Sequence, residues 1–100
     1  MSYRMFLDDE RMPASNGWHI VRSSSDAIAC VLAHGLPSRI SFDHDLGGED
    51  TAMRFVHFLV DYIIDNGLRG MVPDYTVHSQ NPVGAANIKG MMDFLIKHYG

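Results

Sequence analysis

The sequence predicts a single α/β domain over residues 1–100, because short apolar runs alternate with helical patterns along the whole chain. Four runs have the length and the β-branched or aromatic content of strands. They span residues 3–7, 18–22, 39–43 and 74–78. Three of these runs end abruptly in carboxylate, imidazole or hydroxyl side chains, and open α/β sheets bind ligands beyond the carboxyl ends of their strands. We therefore expect a mostly parallel sheet with a functional site at the ends of its strands.

Three helical patterns fill the remaining sequence, and their apolar residues recur at intervals of three and four. Capping and helix-breaking residues mark their limits. The first helix has Ser23 to Ser25 followed by Asp26 at its start and Gly35 then Pro37 at its end; the second has Asp50 or Thr51 and Asn66-Gly67; the third has Pro82 in its first turn. The residues of the apolar stripes are Ala27, Ile28, Val31, Leu32, Ala52, Phe55, Val56, Leu59, Ile63, Ile88, Met91, Met92, Leu95 and Ile96. The stripes of the second and third helices are expected to face the core.

The connection between the first two strands is unusually short. Residues 10–17 include Pro13 and Gly17 and show no helical pattern, whereas a parallel crossover normally needs a dozen or more residues. Two alternatives remain open on the sequence alone. Either the second strand pairs antiparallel at an edge of the sheet, or the connection is a compressed crossover with a short turn of helix.

Composition limits the classes of function. The net charge is −4 and the eight basic residues are scattered, which argues against a general nucleic-acid-binding surface. Cys30 is the single cysteine, so an intramolecular disulfide is excluded and a reducing compartment is indicated. The sequence has neither a signal peptide nor an apolar run of membrane-spanning length. We therefore expect a cytoplasmic protein with no membrane partner.

Acidic residues follow the first and third strands, and a histidine and a hydroxyl follow the fourth. If these strands are neighbours, one patch receives Asp8, Asp9, Asp43, Asp45, His78 and Ser79. Four carboxylates in one place repel one another unless a cation lies among them. The sequence therefore predicts a divalent metal site, with Mg²⁺ the preferred ion for oxygen ligands and Mn²⁺ or Zn²⁺ as alternatives that imidazole would bind.

Each candidate residue also has a purely structural interpretation. The aspartates could be turn or capping residues, and His44 and His78 could be hydrogen-bonded interior residues. Ser79 could bond a nearby backbone group. Asn81 stands directly before a proline and is a good N-cap, although the N–H groups of the same helix start favour a bound anion. Arg11 could be a solvated side chain, the partner of an acid, or a phosphate contact.

These residues resemble the site of the receiver domains of two-component signalling. Receivers have an acidic pair ending the first strand, a phospho-accepting aspartate ending the third, and a Ser or Thr ending the fourth. Asp8 and Asp9 match the acidic pair, Asp43 matches the phospho-acceptor and Ser79 matches the hydroxyl. Asp45 falls where the metal-binding main-chain carbonyl of a receiver lies. The resemblance implies a flavodoxin-like, three-layer sandwich with strand order 2-1-3-4 and helices on both faces.

The chain is more similar to a divergent branch, the small prokaryotic and phage-encoded family of cyclic-phosphate processing receiver domains. Three blocks carry this similarity, and together they are far more specific than any one alone. They are Leu7-Asp8-Asp9-Glu10-Arg11-Met12-Pro13, Ser41-Phe42-Asp43-His44-Asp45-Leu46-Gly47 and His78-Ser79-Gln80-Asn81-Pro82-Val83-Gly84. The similarity spans nearly the whole length of the chain.

The chain also departs from the ordinary receiver. A receiver has a fifth strand ending in a lysine that contacts the phosphoryl group, and here the sequence stops after the helix that follows strand four. Lys89 lies inside that helix, so Arg11, close to the acidic pair, is the better candidate for the anion contact. An exposed sheet edge after strand four would also permit a homo-oligomer.

The first functional hypothesis is a metal-dependent enzyme that processes a phosphate ester, with a cyclic phosphate implied by the family resemblance. Its substrate would be a small molecule or a nucleotide end that carries phosphate. The metal ligands are predicted to be Asp8, Asp9 and Asp43; the catalytic residues Asp43, Asp45 and His78; and the phosphate or substrate contacts Arg11, His44, Ser79 and Asn81. The second hypothesis is a non-catalytic receiver-like module that binds a metal, a phosphorylated ligand or a partner protein.

Overall fold

The computed structural model describes residues 2–100, and in this part of the chain it has four strands and three helices. In chain order they are β1 (Arg4–Leu7), β2 (Trp18–Val21), α1 (Ser24–His34), β3 (Arg39–Phe42), α2 (Ala52–Asp65), β4 (Asp74–Val77) and α3 (Pro82–Tyr99). Each strand lies within one residue of the limits that the sequence predicts. The α/β class is therefore confirmed.

The sheet is parallel throughout and has the predicted order β2-β1-β3-β4. Its register aligns the last residues of β1, β3 and β4, since Leu7 pairs with Phe42 and Phe42 pairs with Val77. The ladder continues one residue further, because the Asp43 N–H donates to the Leu7 carbonyl and the His78 N–H donates to the Phe42 carbonyl. The residues that follow these strands consequently lie side by side.

The open question about β2 is settled in favour of a compressed crossover, although the short turn of helix that this alternative included is absent. Arg4 pairs with Trp18 in a parallel register, and residues 8–17 make the connection without any helix. The guanidinium of Arg22 holds this loop in place by donating to the backbone carbonyls of Asp8 at 3.0 Å and Arg11 at 2.6 Å. A side chain thus takes the place of helical hydrogen bonds in fixing the connection.

The expectation of helices on both faces of the sheet is wrong, because all three helices pack on one face. One buried core contains Met5 and Leu7 of β1 and Ile40 and Phe42 of β3 together with apolar residues of α1, α2 and α3. Right-handed crossovers explain this arrangement. The connections from β2 to β3 and from β3 to β4 run across the sheet in the same direction, so their helices must lie on the same side. A helix on the other face would have to come from the β1–β2 connection, which is too short to contain one.

Aromatic rings rather than a helix cover the middle of the opposite face. Phe6 is buried there at 7% exposure. The Trp18 ring meets it edge-on at 6.0 Å, and the His78 ring stacks on it at 4.7 Å with an interplanar angle of 6°. The guanidinium of Arg4 lies 4.5 Å above the Trp18 ring, while Thr76 of β4 remains exposed. The described chain therefore forms two layers, with a partly covered back face.

Two members of the predicted apolar stripes do not reach the core. Leu32 of α1 is 65% exposed and Ile96 of α3 is 40% exposed. Both follow a buried residue of the same stripe by one position, and one position rotates a side chain by about 100° around a helix. A helix that packs on one side only buries a narrower stripe than the sequence pattern suggests.

The capping of the helices agrees with the sequence in part. The Ser23 hydroxyl accepts from the Asp26 N–H at 3.0 Å, and Thr51 occupies the N-cap position of α2 without a side-chain cap bond. The carboxylate of Asp50 instead accepts from the Ser24 N–H at 2.9 Å, so this residue fixes the start of α1. None of the described helices is long and apolar enough to cross a bilayer.

A homo-oligomer formed through the edge of the sheet stays a prediction, and the structure has an edge at β4 where a second strand could pair. Within the described residues β4 pairs with β3 on one side only. Its burial alternates between exposed and half-buried residues, which is the pattern of an edge strand.

Gly84, in the first turn of α3, lies very close to the side chain of His44. A Cβ atom at this position would collide with the imidazole of His44. By contrast, a Cβ atom at Gly90, two turns later in the same helix, would meet nothing within 4 Å. Gly84 therefore allows the loop after β3 to pack against α3, whereas Gly90 serves no such contact.

Replacing each glycine by alanine should have opposite effects on stability. Gly84→Ala should lower the free energy of unfolding by about 1–3 kcal/mol, since the added methyl overpacks the contact with His44. Gly90→Ala should raise it by about 0.5–1 kcal/mol through better helix propensity. Denaturant unfolding of the two variants measures both changes, and a stabilised Gly84→Ala protein would contradict the packing described for His44.

Candidate metal and phosphate site

Three carboxylates come together where β1 and β3 end. Asp8, Asp9 and Asp43 each offer an oxygen atom such that these atoms all lie within 4.8 Å of one another. Asp8 is fully buried and Asp43 is 6% exposed, whereas Asp9 is half-buried. The neighbouring positions of β1 and β3 cause this convergence, because Asp8 and Asp43 directly follow paired residues.

The buried carboxylate of Asp8 accepts three hydrogen bonds and forms an ion pair with Arg11. Its Oδ1 accepts from the backbone N–H groups of Glu10 at 3.0 Å and Arg11 at 2.8 Å. Its Oδ2 is 2.9 Å from His78 Nε2 and 3.2 Å from Arg11 Nε. A carboxylate has about four lone-pair sites, so the three hydrogen bonds occupy most of them and the Arg11 guanidinium lies beside the remaining one as an ion-pair partner.

These donors decide the ionisation of Asp8. Burial by itself would raise the pKa of the carboxyl, but the backbone N–H groups of Arg11 and Glu10, the imidazole of His78 and the charge of Arg11 outweigh it. The pKa of Asp8 is therefore lowered from its ordinary value of 3.8. The carboxylate stays charged at neutral pH although water does not reach it.

Arg11 bridges the two buried carboxylates. Its Nη2 lies 3.7 Å from Asp43 Oδ2 while its Nε contacts Asp8, and its Nη1 donates to the His78 carbonyl at 3.3 Å. The other oxygen of Asp43 accepts from the His44 N–H at 2.8 Å. The side chain of Arg11 is 43% exposed, so it connects the buried acids to the outside of the site.

His78 lies behind Asp8 and not in front of it. Its Nε2 contacts Asp8 Oδ2, and its Nδ1 lies 2.8 Å from the hydroxyl of Ser41. An ionised carboxylate can only accept, so Nε2 carries a proton and donates to Asp8, while Nδ1 forms the second hydrogen bond of the ring with the Ser41 hydroxyl. Stacking on Phe6 fixes the ring plane. Both ring nitrogens therefore have hydrogen-bond partners, and Nε2 is the one that holds Asp8.

Asp45 and His44 form a separate pair. His44 Nδ1 is 2.9 Å from Asp45 Oδ1, and the amide of Asn81 donates to Asp45 Oδ2 at 3.4 Å. The hydrogen bond from His44 and then that from Asn81 lower the pKa of Asp45. Asp45 does not belong to the group of three converging carboxylates, and its side chain is 66% exposed.

A polar cleft of about 620 Å³ opens above the three carboxylates. The residues that line it are Asp9, Glu10, Arg11, Asp43, Asp45, Gly47, Ser79, Gln80, Asn81 and Pro82. Of the predicted site residues, Asp8, His44 and His78 are not in this lining. Asp8 and His78 instead form the layer beneath the cleft, and His44 packs against the start of α3.

Ser79 and Asn81 shape the rim of the cleft through local hydrogen bonds. The Ser79 hydroxyl accepts from the Asn81 N–H at 3.1 Å. The Asn81 side chain caps α3 by accepting from the Gly84 N–H at 3.0 Å. The structural interpretation of both residues thus applies, while their side chains still face the cleft.

The comparison with known families agrees with this geometry. The model of the cyclic-phosphate processing receiver domain matches residues 3–94 of the chain. The chain belongs to this family. No curated protein and no solved structure gave a significant match. The matched range contains β1 to β4, the first part of α3 and every residue of the cleft in this receiver domain.

Sequence reasoning missed two residues that support the site of the receiver domain. Ser41 bonds the imidazole of His78, and Arg22 ties the carbonyls of Asp8 and Arg11 together. Ser41 had a signal in the sequence, because it precedes Asp43 by two residues and must share a face of β3 with it. Arg22 had none, since its contacts depend on the path of the loop over residues 8–17.

The charge of Asp8 should make stability depend on pH in one direction. Because its pKa is lowered on folding, the ionised carboxyl stabilises the fold above pH 3.8, and this stabilisation is lost as pH falls through the folded-state pKa. Asp8→Asn should lower the free energy of unfolding at pH 7 by about 3 kcal/mol or more. The reason is that the uncharged amide places an NH2 group against the N–H groups of His78 and Arg11, where the carboxylate has a negatively charged oxygen. Urea unfolding at pH 7 and at pH 3 measures the gap between variant and wild type. The gap should shrink in acid, and a gap that is the same at both pH values would refute this role of the Asp8 charge.

His78→Ala should weaken the fold as well as the site. Loss of the ring removes the stack on Phe6 and one donor to Asp8, so the free energy of unfolding should fall by about 2–4 kcal/mol. Ser41→Ala is the matched control, because it removes only the bond behind the ring and should cost about 1 kcal/mol. Thermal unfolding separates the two variants. If His78→Ala kept the stability of the wild type and lost only turnover, His78 would act in proton transfer and not as the support of Asp8.

Proposed function

We propose that this receiver domain binds a divalent cation at Asp8, Asp9 and Asp43 and uses it to process a phosphate ester in the adjoining cleft. The observation that carries the proposal is the convergence of three carboxylate oxygens, of which those of Asp9 and Asp43 belong to residues that line a polar cleft and that of Asp8 lies beneath it. The family description adds cyclic phosphates as the substrate class. A small molecule or a nucleotide end that carries such a phosphate is the proposed substrate.

The donor set favours Mg²⁺, with Mn²⁺ as a close substitute. The three candidate ligands are all carboxylate oxygens, which hard cations prefer, and Mg²⁺ keeps several waters besides one or two carboxylates. Zn²⁺ is less suited, because it binds best to nitrogen and sulfur donors and the nearby imidazoles of His44 and His78 are engaged with Asp45 and Asp8. A bound divalent ion would neutralise phosphate charge and polarise the phosphorus toward attack.

The residues of the cleft divide into different proposed roles. Asp43 is the candidate nucleophile or ligand, because it is the buried carboxylate that also lines the cleft. Arg11, Ser79 and Asn81 are proposed to contact the phosphate from the rim. Asp45 suits a role in positioning water or substrate better than that of a general base, since its lowered pKa makes it a weaker base than a free carboxylate.

A non-catalytic receiver-like module is the second candidate, and one observation favours it. Neither of the two histidines that sequence analysis assigned to the site faces the cleft, so the group that would move protons during hydrolysis is not evident among the described residues there. Such a module would bind the ion and a phosphorylated ligand without turning the ligand over.

Addition of Mg²⁺ or Mn²⁺ at millimolar concentration should raise the melting temperature of the wild-type protein. An ion that binds only the folded state stabilises it by mass action, by about 2.7 kcal/mol at a concentration one hundred times Kd. Asp43→Asn should abolish this rise. Asp61→Asn is the matched control, because it removes an exposed carboxylate from α2 and should leave the response to the ion unchanged.

The same proteins decide between the enzyme and the module. Incubation with a nucleoside 2′,3′-cyclic phosphate and Mn²⁺ should give ion-dependent ring opening that Asp43→Asn loses. Binding of the ion without turnover would support the module. A wild-type protein whose melting temperature does not respond to either ion would rule out both.

A further inference from the structure

We infer that the guanidinium of Arg11 and the divalent ion exclude each other, so that Arg11 closes the ion site and must leave before an ion can enter. The inference rests on the proposed function, because it concerns the regulation of the same site. It assigns to Arg11 a role that differs from a fixed phosphate contact. Arg11 would be a built-in counterion that the metal displaces.

The position of the guanidinium supports this role. Arg11 reaches Asp8 Oδ2 with Nε at 3.2 Å and Asp43 Oδ2 with Nη2 at 3.7 Å. Two of the three candidate ligands of the ion therefore already share a cation. A dication held by the same oxygens would be within a few ångström of the guanidinium charge, and like charges at such a distance repel each other.

The contacts of Asp8 make the exclusion specific to Arg11. Its three hydrogen bonds leave about one of four lone-pair sites free, and the guanidinium of Arg11 lies 3.2 Å from the oxygen that carries this free site, so a metal would have to take the place of Arg11 or of a hydrogen-bond donor. The backbone N–H groups of Glu10 and Arg11 belong to the turn that ends β1 and cannot leave without unfolding it. His78 is held on its other side by Ser41 and by its stack on Phe6.

Arg11 is the partner of Asp8 that can leave. Its side chain is 43% exposed, whereas the side chain of His78 is 23% exposed. Its remaining contact is a single bond of 3.3 Å to the His78 carbonyl. The same side chain lines the cleft, so a released guanidinium enters the space where an anionic ligand would lie. Ion binding thereby frees a group that binds phosphate, which couples the two ligands.

A titration with Mg²⁺ followed by ¹H–¹⁵N NMR tests the exclusion directly. The backbone signals of the cleft give the affinity, and the Nε signal of Arg11 reports on its contact with Asp8. In the wild type the Arg11 Nε signal should shift in step with the backbone signals as the guanidinium leaves. Arg11→Met, which keeps a flexible apolar stem without charge, should bind Mg²⁺ about fivefold or more tightly than the wild type.

Two further variants are compared with Arg11→Met in the same titration. Arg69→Met removes the same charge at the far end of α3, where Arg69 contacts His98 and Tyr99, and should bind Mg²⁺ as the wild type does. Arg11→Lys keeps a charge but not the fork of donors and should have intermediate affinity, and it replaces Arg11→Met if that variant fails to fold in EDTA.

The possible results are distinct. Equal or weaker Mg²⁺ binding by Arg11→Met, or an Arg11 Nε signal that stays fixed while the backbone signals shift, overturns the exclusion and leaves the proposed metal site standing. Absence of Mg²⁺ binding in the wild type and in every variant overturns the exclusion together with the proposed metal site.

Discussion

The charge of Asp8 lies out of reach of water, and the fold has to supply the donors that water would otherwise provide. They come from Glu10 and Arg11 in the crossover loop and from His78 at the end of β4. Segments that are distant in sequence are thus held at the same carboxylate. Arg22 extends the arrangement to β2, because its guanidinium binds the carbonyls of Asp8 and Arg11. The site and the sheet are consequently one hydrogen-bonded structure, and a change in either is transmitted to the other.

His78 has two structural roles because no helix lies between β1 and β2. On the back face its ring covers Phe6 in the place where a helix would pack in a three-layer sandwich. Toward the site the same ring orients Asp8. A residue with both tasks cannot be exchanged for a better catalyst without exposing Phe6. The compact crossover therefore restricts the chemistry that this framework can acquire at the end of β4.

Much of this arrangement could be predicted from the sequence, and the errors have identifiable causes. Apolar runs indicated where β1 and β3 end, and the family resemblance supplied the strand order that makes these strands neighbours. Asp8 could then be placed beside Asp43, because paired strands that end level bring the next residues together. The helix layer was misplaced because resemblance to a longer fold implied a helix that residues 8–17 cannot form. The contacts of Arg11 and His78 were beyond prediction, since they depend on side-chain reach and on which lone pairs of a buried carboxylate are still free. His44 was assigned to the cleft because it stands between two acids, but its ring packs where Gly84 leaves space.

The bond between His78 and Asp8 joins residues that are 70 positions apart in the chain. Contacts of such separation form late in folding, because the entropy of closing a long loop must be overcome first. Until β4 docks, Asp8 lacks this partner and remains hydrated. The carboxylate of Asp8 then loses its water in the same step that closes the loop between Asp8 and His78. We therefore expect the buried carboxylate to slow the folding of the chain more than it lowers the stability of the folded protein.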